Sequence, residues 1–430
     1  MKYDVLIVGG GFGGATVAKR LERLLGERQA RVLVVAAENF FLFSPLLPEA
    51  AAGTIEPRHA VIPLREMLRR TSLLVGEVVS LDIAGRTAVV RDAGGEEHEI
   101  QFGTVVVSPG STPTVIPIPG LMENAVGFKT LPDAIWLRNR VLRQLEAAEA
   151  MADPARRREL LTFTFVGGGY AGVEALAELE SFARDALRTY AGVGLADFRW
   201  VLVEARDSLL PGLDERLARY SERTLRNRAV EIHLGTRMMS CEDRKVVLSN
   251  DDVPPYVSET IVWAAGQRPS PLLRTLGLPT DDQHRLVVDD HLRVDGRSDV
   301  FAIGDAAAVP DPDGGICPAT AQHALRQGYA CAVNVAATLG VGSPAPFRYR
   351  NRGLAVTLGK NQGTAQVRQF TFTGPLAWWM GRSYHLIMMP GMARKVRVVT
   401  DWTISLAFPR DLSQLGNLGR PSPLSSSTTG

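Results

Sequence analysis

Two glycine-rich turns, each placed between a buried strand and a helix, constrain the fold of this chain more than any other feature of its sequence. The first turn follows a β-branched apolar strand at residues 4–8, precedes a helical pattern at 15–25, and leads to a second buried strand at 31–35. Its glycines fit the spacing G-x-G-x-x-G: Gly9, Gly11 and Gly14. In this spacing the first glycine permits a tight turn, the second lets a pyrophosphate approach the backbone, and the third lets the helix pack on the strand.

A second copy of the same unit lies in the middle of the chain. A strand at 163–166 leads into Gly167, Gly169 and Gly172, a helix is predicted from 173 to about 190, and the next strand, 200–204, ends on Glu204. One such turn also occurs for structural reasons alone, but two copies in complete strand–helix–strand context predict two dinucleotide-binding domains. The expected fold class is therefore α/β with two Rossmann-like domains, and two bound dinucleotides suggest that one passes electrons to the other.

Composition argues against several other classes of protein. Lys and Arg number 48 and Asp and Glu number 46, a formal net charge of +2, so no overall field attracts nucleic acid. No apolar run reaches the roughly 18 residues of a spanning helix, and the first strand comes early in the sequence, so neither a transmembrane helix nor a signal peptide is expected. Three cysteines and seven histidines lack C-x-x-C and H-x-x-x-H spacing, so neither a disulfide framework nor a metal site is expected: Cys241, Cys317 and Cys331.

The two glycine turns and the Gly304-Asp305 pair resemble the frame of the two-dinucleotide-domain flavoproteins. Within that group the chain resembles a type II NADH:quinone oxidoreductase, the single-subunit respiratory NADH dehydrogenase that pumps no protons. The segments that narrow the resemblance are residues 39–48, 172–174, 262–266, 319–322, 401–402 and 408–410. The similarity extends to about residue 415 and implies FAD and NADH as the two dinucleotides, with a membrane quinone as electron acceptor.

The resemblance also divides the chain into domains. A discontinuous FAD-binding domain is expected at 1–115 and 290–345, with the NADH-binding domain inserted at 116–289. Residues 346–418 are expected to form a C-terminal α+β region that associates with a membrane or forms a dimer interface. Residues 419–430 are rich in Ser, Pro and Thr, which predicts a disordered tail.

The FAD site is predicted from the first glycine turn and from small-residue turns that end later strands. Its expected residues are Gly9, Gly11, Phe12, Gly13, Gly14, Ser108, Gly110, Gly304, Asp305, Ala321 and Gln322. Glu38, the first acid after the second strand, is the candidate for the adenosine ribose, with a solvated loop carboxylate as the alternative. Asp305 is expected on the ribitol or pyrophosphate side. The flavin should be non-covalent, because neither His nor Cys occupies a plausible attachment position beside these motifs.

The NADH site is predicted from the second glycine turn and the strand ends beside it. Its expected residues are Gly167, Gly169, Gly172, Glu174, Glu204, Ala265 and Gly266. A carboxylate at Glu204 would accept hydrogen bonds from the ribose hydroxyls and repel a 2′-phosphate, which favours NADH over NADPH, although Arg206 could soften that preference. The resemblance places Glu174 near nicotinamide and flavin, where it would orient the carboxamide and tune proton delivery. The alternative is an acid that only complements the helix dipole.

Three further residues are candidates for the quinone channel or for proton transfer. The resemblance places Ala321 and Gln322 on the flavin face opposite NADH, where they would line the quinone channel; the alternative is a polar residue at a helix N-terminus. Glu49 is a weaker candidate for a proton relay. The predicted catalytic residues are therefore Glu174, Gln322 and Glu49.

Residues 391–408 predict an amphipathic helix. Its apolar stripe comprises Met392, Val396, Val399, Trp402, Thr403 and Leu406, and its polar face comprises Arg394, Arg397, Asp401 and Ser405. A helix lying in the membrane plane would hold Arg394 and Lys395 near the headgroups and Trp402 at the interface. The expected location is peripheral, on the cytoplasmic face of the cell membrane, and a core helix or homodimer contact is the alternative.

Three alternative functions are considered for a flavoprotein of this kind. A sulfide:quinone oxidoreductase needs a cysteine pair at the flavin, yet the first cysteine of the chain is Cys241. Disulfide reductases need C-x-x-x-x-C after the first glycine turn, which is absent here. A redox-responsive flavoprotein, similar to apoptosis-inducing factor, is the alternative from a different class. The sequence leaves the identity of the quinone open.

Overall fold

The chain folds into two α/β domains and a smaller third region, and the computed structural model describes residues 1–26, 28, 30–350 and 353–414. The tail expected at 419–430 lies outside these residues. The first stretch of the chain forms β1 (Lys2–Val8), α1 (Phe12–Leu25), β2 (Val32–Ala36), β3 (Phe40–Leu42), α2 (Leu47–Ala51), β4 (Val61–Pro63), α3 (Leu64–Met67), β5 (Ser72–Asp82), β6 (Thr87–Asp92), β7 (Glu97–Val107) and β8 (Ser111–Pro113).

The middle of the chain forms the second domain. Its elements are α4 (Leu121–Asn124), β9 (Ala125–Gly127), α5 (Leu131–Glu149), α6 (Pro154–Leu160), β10 (Thr162–Val166), α7 (Tyr170–Ala186), β11 (Arg199–Val203), α8 (Glu215–Arg226), β12 (Val230–His233), β13 (Met238–Ser240), β14 (Lys245–Leu248), β15 (Tyr256–Val257), β16 (Thr260–Trp263) and β17 (Gln267–Pro269).

The chain then returns to the first domain and ends in the third region. The returning elements are β18 (Leu286–Val287), β19 (Val300–Ala302), β20 (Ala307–Ala308) and α9 (Ala321–Thr338). The third region comprises β21 (Gly353–Thr357), β22 (Gly363–Val367), β23 (Phe370–Thr373), α10 (Gly374–Met388) and α11 (Met392–Ala407).

The first domain is built on a parallel sheet with the strand order β5–β2–β1–β7–β19. The register sets Ile7 beside Val34 on one side and beside Val106 on the other. Strands β5 and β7 also extend beyond the parallel layer and pair with β6 as an antiparallel meander. The apolar strands are buried on both faces, which explains why residues 5–8 form a continuous apolar run instead of an alternating one.

The second domain repeats this design, with the all-parallel order β12–β11–β10–β16–β9. The glycine turn lies between β1 and α1 in the first domain and between β10 and α7 in the second, as the two sequence motifs predict. An antiparallel ribbon of β8 and β17 carries the chain between the domains in both directions.

The return to the first domain comes earlier than the expected boundary at residue 290. Leu273, Leu276, Leu286 and Val288 are buried in the apolar core of the first domain, and β18 pairs with β20. The crossing therefore lies at β17. The sequence did not mark this position because residues 270–289 contain turns and irregular segments without helical or strand periodicity.

The third region is α+β, as expected, and it bridges the two domains. Its sheet of β21, β22 and β23 is antiparallel, and Val356 and Leu358 pack into the core of the second domain. The helices instead place Met389, Val398 and Trp402 in the core of the first domain. Within the described part of the chain, no helix combines the length and apolar character needed to cross a bilayer.

Candidate active site

The first glycine turn forms a cradle at the carboxyl edge of the first sheet. Gly9 adopts φ +107°, and a Cβ there would lie 2.1 Å from the carbonyl oxygen of Ser108. A Cβ on Gly14 would lie 1.9 Å from the carbonyl oxygen of Gly9, so strand and helix pack too closely for any side chain. A Cβ on Gly11 would meet no described atom within 4 Å, which leaves open space where a pyrophosphate can approach the backbone.

The second turn repeats this geometry position by position. Gly167 adopts φ +115°, and a Cβ there would lie 2.7 Å from the carbonyl carbon of Ala264. A Cβ on Gly172 would lie 2.1 Å from the carbonyl oxygen of Gly167, whereas one on Gly169 would meet no described atom within 4 Å. The chain therefore holds two cradles of the same shape, and both fit a dinucleotide.

The helices that follow both turns begin without a side-chain cap. Gly11 and Gly169 are the N-cap residues of α1 and α7, neither makes a side-chain cap, and neither helix has an acid in its first turn. The first backbone N–H groups of each helix therefore face the open space of the cradle. Such an end binds phosphate through its N–H groups and its partial positive charge.

Residues predicted to bind FAD converge on this edge from three neighbouring strands. A Cβ on Gly13 would lie 2.7 Å from the Ser108 hydroxyl and 2.9 Å from Ile303, so α1 touches the ends of both β7 and β19. The Gly304 N–H donates to Gln327 Oε1 on α9 at 2.7 Å. Gly110 and Gly304 both adopt positive φ, at 74° and 69°, as sharp turns after a strand require.

Asp305 belongs to a polar network at the junction between the domains. The Ser111 hydroxyl donates to Asp305 Oδ2 at 2.5 Å, and Lys129 Nζ donates to the same hydroxyl at 2.8 Å and to Gln267 Oε1 at 2.6 Å. Burial lowers the pKa of Lys129, while the negative charge of Asp305 acts in the opposite direction. The network joins β8, β17 and the Gly304 turn, so it ties the interdomain ribbon to the predicted FAD site.

The two candidate ribose acids differ in how they are held. Glu38 is exposed in the loop after β2. Glu204 follows β11 and accepts hydrogen bonds from the backbone N–H of Gly168 at 2.5 Å and of Arg206 at 2.9 Å. These bonds fold the Glu204 carboxylate over the second glycine turn. Ala265 and Gly266 lie across the same turn, since a Cβ on Gly167 would lie 2.8 Å from the Ala265 nitrogen.

Glu174 lies partly buried where the second domain meets the third region. Helix α7 begins at Tyr170, so Glu174 is its fifth residue and lies just beyond the first turn. The helix start predicted at residue 173 would have placed Glu174 within the first turn. Glu174 Oε1 accepts hydrogen bonds from the Thr357 N–H at 2.9 Å and the Thr357 hydroxyl at 3.3 Å. Burial raises the pKa of Glu174 to about 8, and the bonds from Thr357 only partly oppose this.

A cluster of buried charges adjoins Glu174. Glu178, one turn further along α7, lies 3.7 Å from Arg410, and neither of its carboxylate oxygens has a hydrogen-bond partner among the described residues. Burial raises the pKa of Glu178, while Arg410 lowers it. The negative charges of Glu178 and Glu49 also raise the pKa of Glu174. Carboxyl groups from two domains therefore share one low-dielectric space.

Glu49 forms a buried ion pair with a residue of the third region. Arg382 Nε and Nη2 donate to its two carboxylate oxygens, each at 3.2 Å, and the Trp402 indole N–H donates to Oε2 at 2.5 Å. The Arg382 guanidinium also lies over the rings of Trp378 and Trp402, at 3.7 Å and 5.0 Å from their centroids. Both Glu49 oxygens are occupied as acceptors, a geometry that favours anchoring; a proton-relay role for Glu49 stays a prediction.

The position of Trp402 corrects one expectation from the sequence. Trp402 is 5% exposed and faces the protein, so it does not belong to the outer apolar stripe of α11. The rest of that stripe is exposed: Met392, Val396, Val399, Thr403 and Leu406. The error arose because Trp402 suits a membrane interface and a partly polar core equally well, and only the location of Glu49 decides between them.

The predicted polar face of α11 also packs on the first domain. Arg394 Nη1 donates to the Arg58 carbonyl at 3.0 Å, and Asp401 Oδ2 lies 2.5 Å from His59 Nδ1. The helix thus directs Arg394, Asp401 and its buried apolar residues inward and leaves an apolar stripe outward, while Arg397 of the predicted polar face is exposed. This arrangement differs from that of an ordinary surface helix, whose polar residues face solvent.

Ala321 and Gln322 begin α9, as expected, with Thr320 as the N-cap. The Gln322 side-chain amide donates to the hydroxyl of Tyr349, which precedes β21.

An aromatic cluster lies at the start of α1. Phe12 packs against Phe41 at a centroid distance of 4.8 Å, and Phe43 lies 6.3 Å from the His385 ring on α10. Burial lowers the pKa of His385 to about 4, so the imidazole is neutral at neutral pH.

Sequence reasoning missed several residues of this site, because their partners are remote in the chain: Glu178, Tyr349, Thr357, Arg382 and Arg410. One signal was available, since Arg382 is a lone charge within the apolar run 376–389. A charge in such a run requires either a surface position or a buried partner.

Comparisons with known proteins match both the fold and the motifs. Residues 3–328 match the family model described as pyridine nucleotide-disulphide oxidoreductase. The chain is 30% identical to the type II NADH:quinone oxidoreductase of Mycobacterium tuberculosis over 95% of its length and 89% of that protein. It is also 30% identical to a probable NADH dehydrogenase of Dictyostelium discoideum, over 95% of this chain and 90% of that one.

A solved structure supports the same fold. The chain superposes on NDH2 from Plasmodium falciparum in complex with NADH with a TM-score of 0.87, covering 96% of this chain and 100% of that one at 16% sequence identity. At this identity the similarity concerns the fold alone. Taken with the relatives above, the chain is an oxidoreductase with two dinucleotide-binding domains, and it belongs to the type II NADH:quinone oxidoreductase family.

Proposed function

We propose that this chain oxidises NADH and reduces a membrane quinone, with FAD held non-covalently between the two half-reactions. The observation that carries the proposal is the pair of glycine cradles with matching close contacts at corresponding positions, each followed by an uncapped helix. Bound FAD would supply the redox chemistry, since it accepts a hydride from NADH and passes two electrons to the quinone. The residues of this site would bind and orient the nucleotides and the quinone, and would supply protons to the quinone.

Nucleotide selection is assigned to Glu204. Its carboxylate is held over the second glycine turn by the N–H groups of Gly168 and Arg206, so it cannot easily swing away from a ribose. A 2′-phosphate at this place would meet a negative charge, and like-charge contacts of this kind cost several kcal/mol. We therefore propose NADH as the preferred donor.

Proton supply is assigned to Glu174. With a pKa of about 8 the carboxyl is protonated at neutral pH. Because Oε1 accepts both hydrogen bonds from Thr357, the proton resides on Oε2. A quinone takes up two protons with its two electrons, so a buried acid that holds a proton at neutral pH suits this step.

The quinone side is assigned to Gln322. Its amide is oriented by the Tyr349 hydroxyl, and it lies at the start of the helix whose Gln327 accepts from the Gly304 turn. One helix therefore links the predicted FAD site to the predicted quinone site.

Peripheral attachment to a membrane is assigned to the outer surface of α10 and α11. Its exposed apolar residues include Leu376, Trp379, Ile387, Met392, Val396, Val399, Ile404 and Leu406. Arg394 and Asp401 are bound to the protein, so the outer surface of α11 presents these apolar groups together with the exposed Arg397. A lipid-soluble quinone requires the enzyme to lie at the bilayer surface, and a helix lying in the interface provides this. We propose the cytoplasmic face, and a homodimer contact is the competing use of the same surface.

The proposal is tested by steady-state oxidation of NADH with a panel of quinones, with sulfide as an alternative donor. We expect NADH-dependent reduction of quinone and no sulfide-dependent reduction. Acid precipitation should release all the flavin into the supernatant. Slow turnover with every quinone, together with a stable NADH–flavin complex, would instead favour a redox-responsive binding protein.

A further inference from the structure

A mixed cluster of metal-binding side chains lies beside the start of α9. Asp311, Cys317 and His323 each offer one ligand atom, and the three atoms lie within 4.8 Å of one another. The Cys317 Sγ lies 3.8 Å from Asp311 Oδ2. Carboxylate, thiolate and imidazole at such separations match the ligand types of a zinc site with three protein ligands and one open position.

The geometry of His323 suits a ligand. Thr320 Oγ1 lies 2.8 Å from His323 Nδ1 and also accepts from the His323 backbone N–H. A ring N–H at Nδ1 that donates to this hydroxyl leaves the lone pair on Nε2. Metal-binding histidines are commonly oriented in this way, by a second hydrogen bond at the other ring nitrogen.

The burial of the three side chains and their access to solvent also favour metal binding. Cys317 and His323 are 4% and 3% exposed, while Asp311 is partly open to solvent. An ion could therefore enter past the carboxylate, lose most of its water against the buried pair, and retain one water on the open side.

We propose that Asp311, Cys317 and His323 form a binding site for a divalent transition-metal ion of the zinc class. Spacing rules missed it because five residues separate each ligand from the next, and the ligands belong to a loop and the first turn of a helix. The site adjoins Gln322 in sequence, and α9 also carries the Gln327 that binds the Gly304 turn. A bound ion would fix the loop at 311–320 against α9 and restrain the quinone side of the flavin.

The test uses Co²⁺ alone as a spectroscopic probe, added to the full-length FAD-loaded protein. A tetrahedral Co²⁺ site with a thiolate ligand absorbs in the long-wavelength visible region, beyond the flavin bands. We expect one Co²⁺ per chain and its displacement by Zn²⁺, with affinity measured by competition against a chromogenic chelator. Zn²⁺ should slow reoxidation of the reduced protein by quinone and leave flavin reduction by NADH unchanged.

Substitutions separate the proposed site from adventitious binding. Asp311→Asn should weaken binding at least about tenfold, and Thr320→Val should weaken it about 10–100-fold through the orientation of His323, with recovery in Thr320→Ser. Asp313→Asn, in the same loop, and Cys331→Ser, buried in α9, are the matched controls and should bind as the parent does.

Flavin content and melting temperature establish that each variant is folded. Asp311→Asn keeps the size of a partly exposed side chain, so the test does not depend on replacing the buried Cys317. Absence of the cobalt bands in the parent protein would overturn the proposal. Equal Co²⁺ affinity in Asp311→Asn and the parent would overturn it as well.

Discussion

The indole N–H of Trp402 donates to Oε2 of Glu49 across 2.5 Å and 353 positions of sequence. This bond joins α11 of the third region to α2 of the first domain. With Arg382 it completes a buried carboxylate whose two oxygens are both occupied. Helix α11 is therefore attached through a polar contact, and its apolar stripe remains exposed to the surroundings.

Glu49→Gln should destabilise the protein strongly, because Arg382 would keep a buried charge without the carboxylate that pairs with it. Breaking one partner of a buried ion pair typically costs about 3–5 kcal/mol. Urea unfolding of the FAD-loaded protein measures the loss. The matched control is Glu56→Gln, since the exposed Glu56–Arg58 pair should contribute only about 0–1 kcal/mol. Equal losses in the two variants would contradict the anchoring role.

Glu204→Ala should shift nucleotide preference toward NADPH. Removal of the carboxylate eliminates both the ribose contact and the repulsion of a 2′-phosphate. The ratio of kcat/KM for NADPH to that for NADH should rise at least about tenfold. Glu38→Ala, which removes an exposed acid from the other domain, should leave the ratio unchanged. A parent protein that already oxidises both nucleotides equally well would refute the assignment.

Glu174 should make stability depend on pH between its unfolded and folded pKa values, 4.5 and about 8. Since the folded pKa is raised, the native state holds a proton that the unfolded state has lost in this window. The free energy of unfolding should therefore fall as pH rises from 4.5 to about 8. Glu174→Gln cannot ionise and should lack this part of the slope. Identical slopes in denaturant titrations of both proteins would show that Glu174 is ionised throughout.

Gln322→Phe should slow the quinone half-reaction and spare the NADH half-reaction. Its side chain would occupy space on the proposed quinone side without altering either glycine cradle. Stopped-flow absorbance of the flavin measures the two half-reactions separately. Tyr349→Phe removes only the hydroxyl that orients Gln322 and should slow the quinone step more mildly. Equal loss in both half-reactions would mean that Gln322 supports the fold.

Met392→Glu with Val396→Glu should release the protein from membranes. These side chains are 74% and 59% exposed, so the substitutions alter the surface and leave the core intact. Co-sedimentation with liposomes should fall, and activity should fall more with a long-chain quinone than with a water-soluble analogue. Met239→Glu, at a 53% exposed apolar position of the second domain, is the control.

The double substitution Met392→Glu with Val396→Glu also distinguishes a membrane-binding surface from a dimer contact. A dimer contact predicts a monomeric product that loses activity with both quinones together. Deletion of residues from Gly391 onward is a less specific test. It would also remove Trp402 and Arg410, which contact buried carboxylates of both domains.

The sequence by itself determined the two dinucleotide domains and their ligand cradles. This information is local: a glycine turn, its strand and its helix lie within about 30 residues, and each glycine is required by backbone geometry in its own neighbourhood. The position of Glu204 beside the second turn was predictable for the same reason, because it follows the strand next to the turn, while its role in nucleotide selection stays a prediction. The outward apolar stripe of α11 was likewise readable from helical periodicity.

Only the tertiary structure decided which charges are buried and what they contact. Glu49, Glu174 and Glu178 look like ordinary helix acids in the sequence, and their environment arises when α2, α7, α10 and the segment around Arg410 come together. The sequence also could not assign Trp402 to the inside of its helix, since periodicity describes a face but not what that face meets. Burial and charge pairing depend on contacts between elements hundreds of residues apart, so they are properties of the assembled fold.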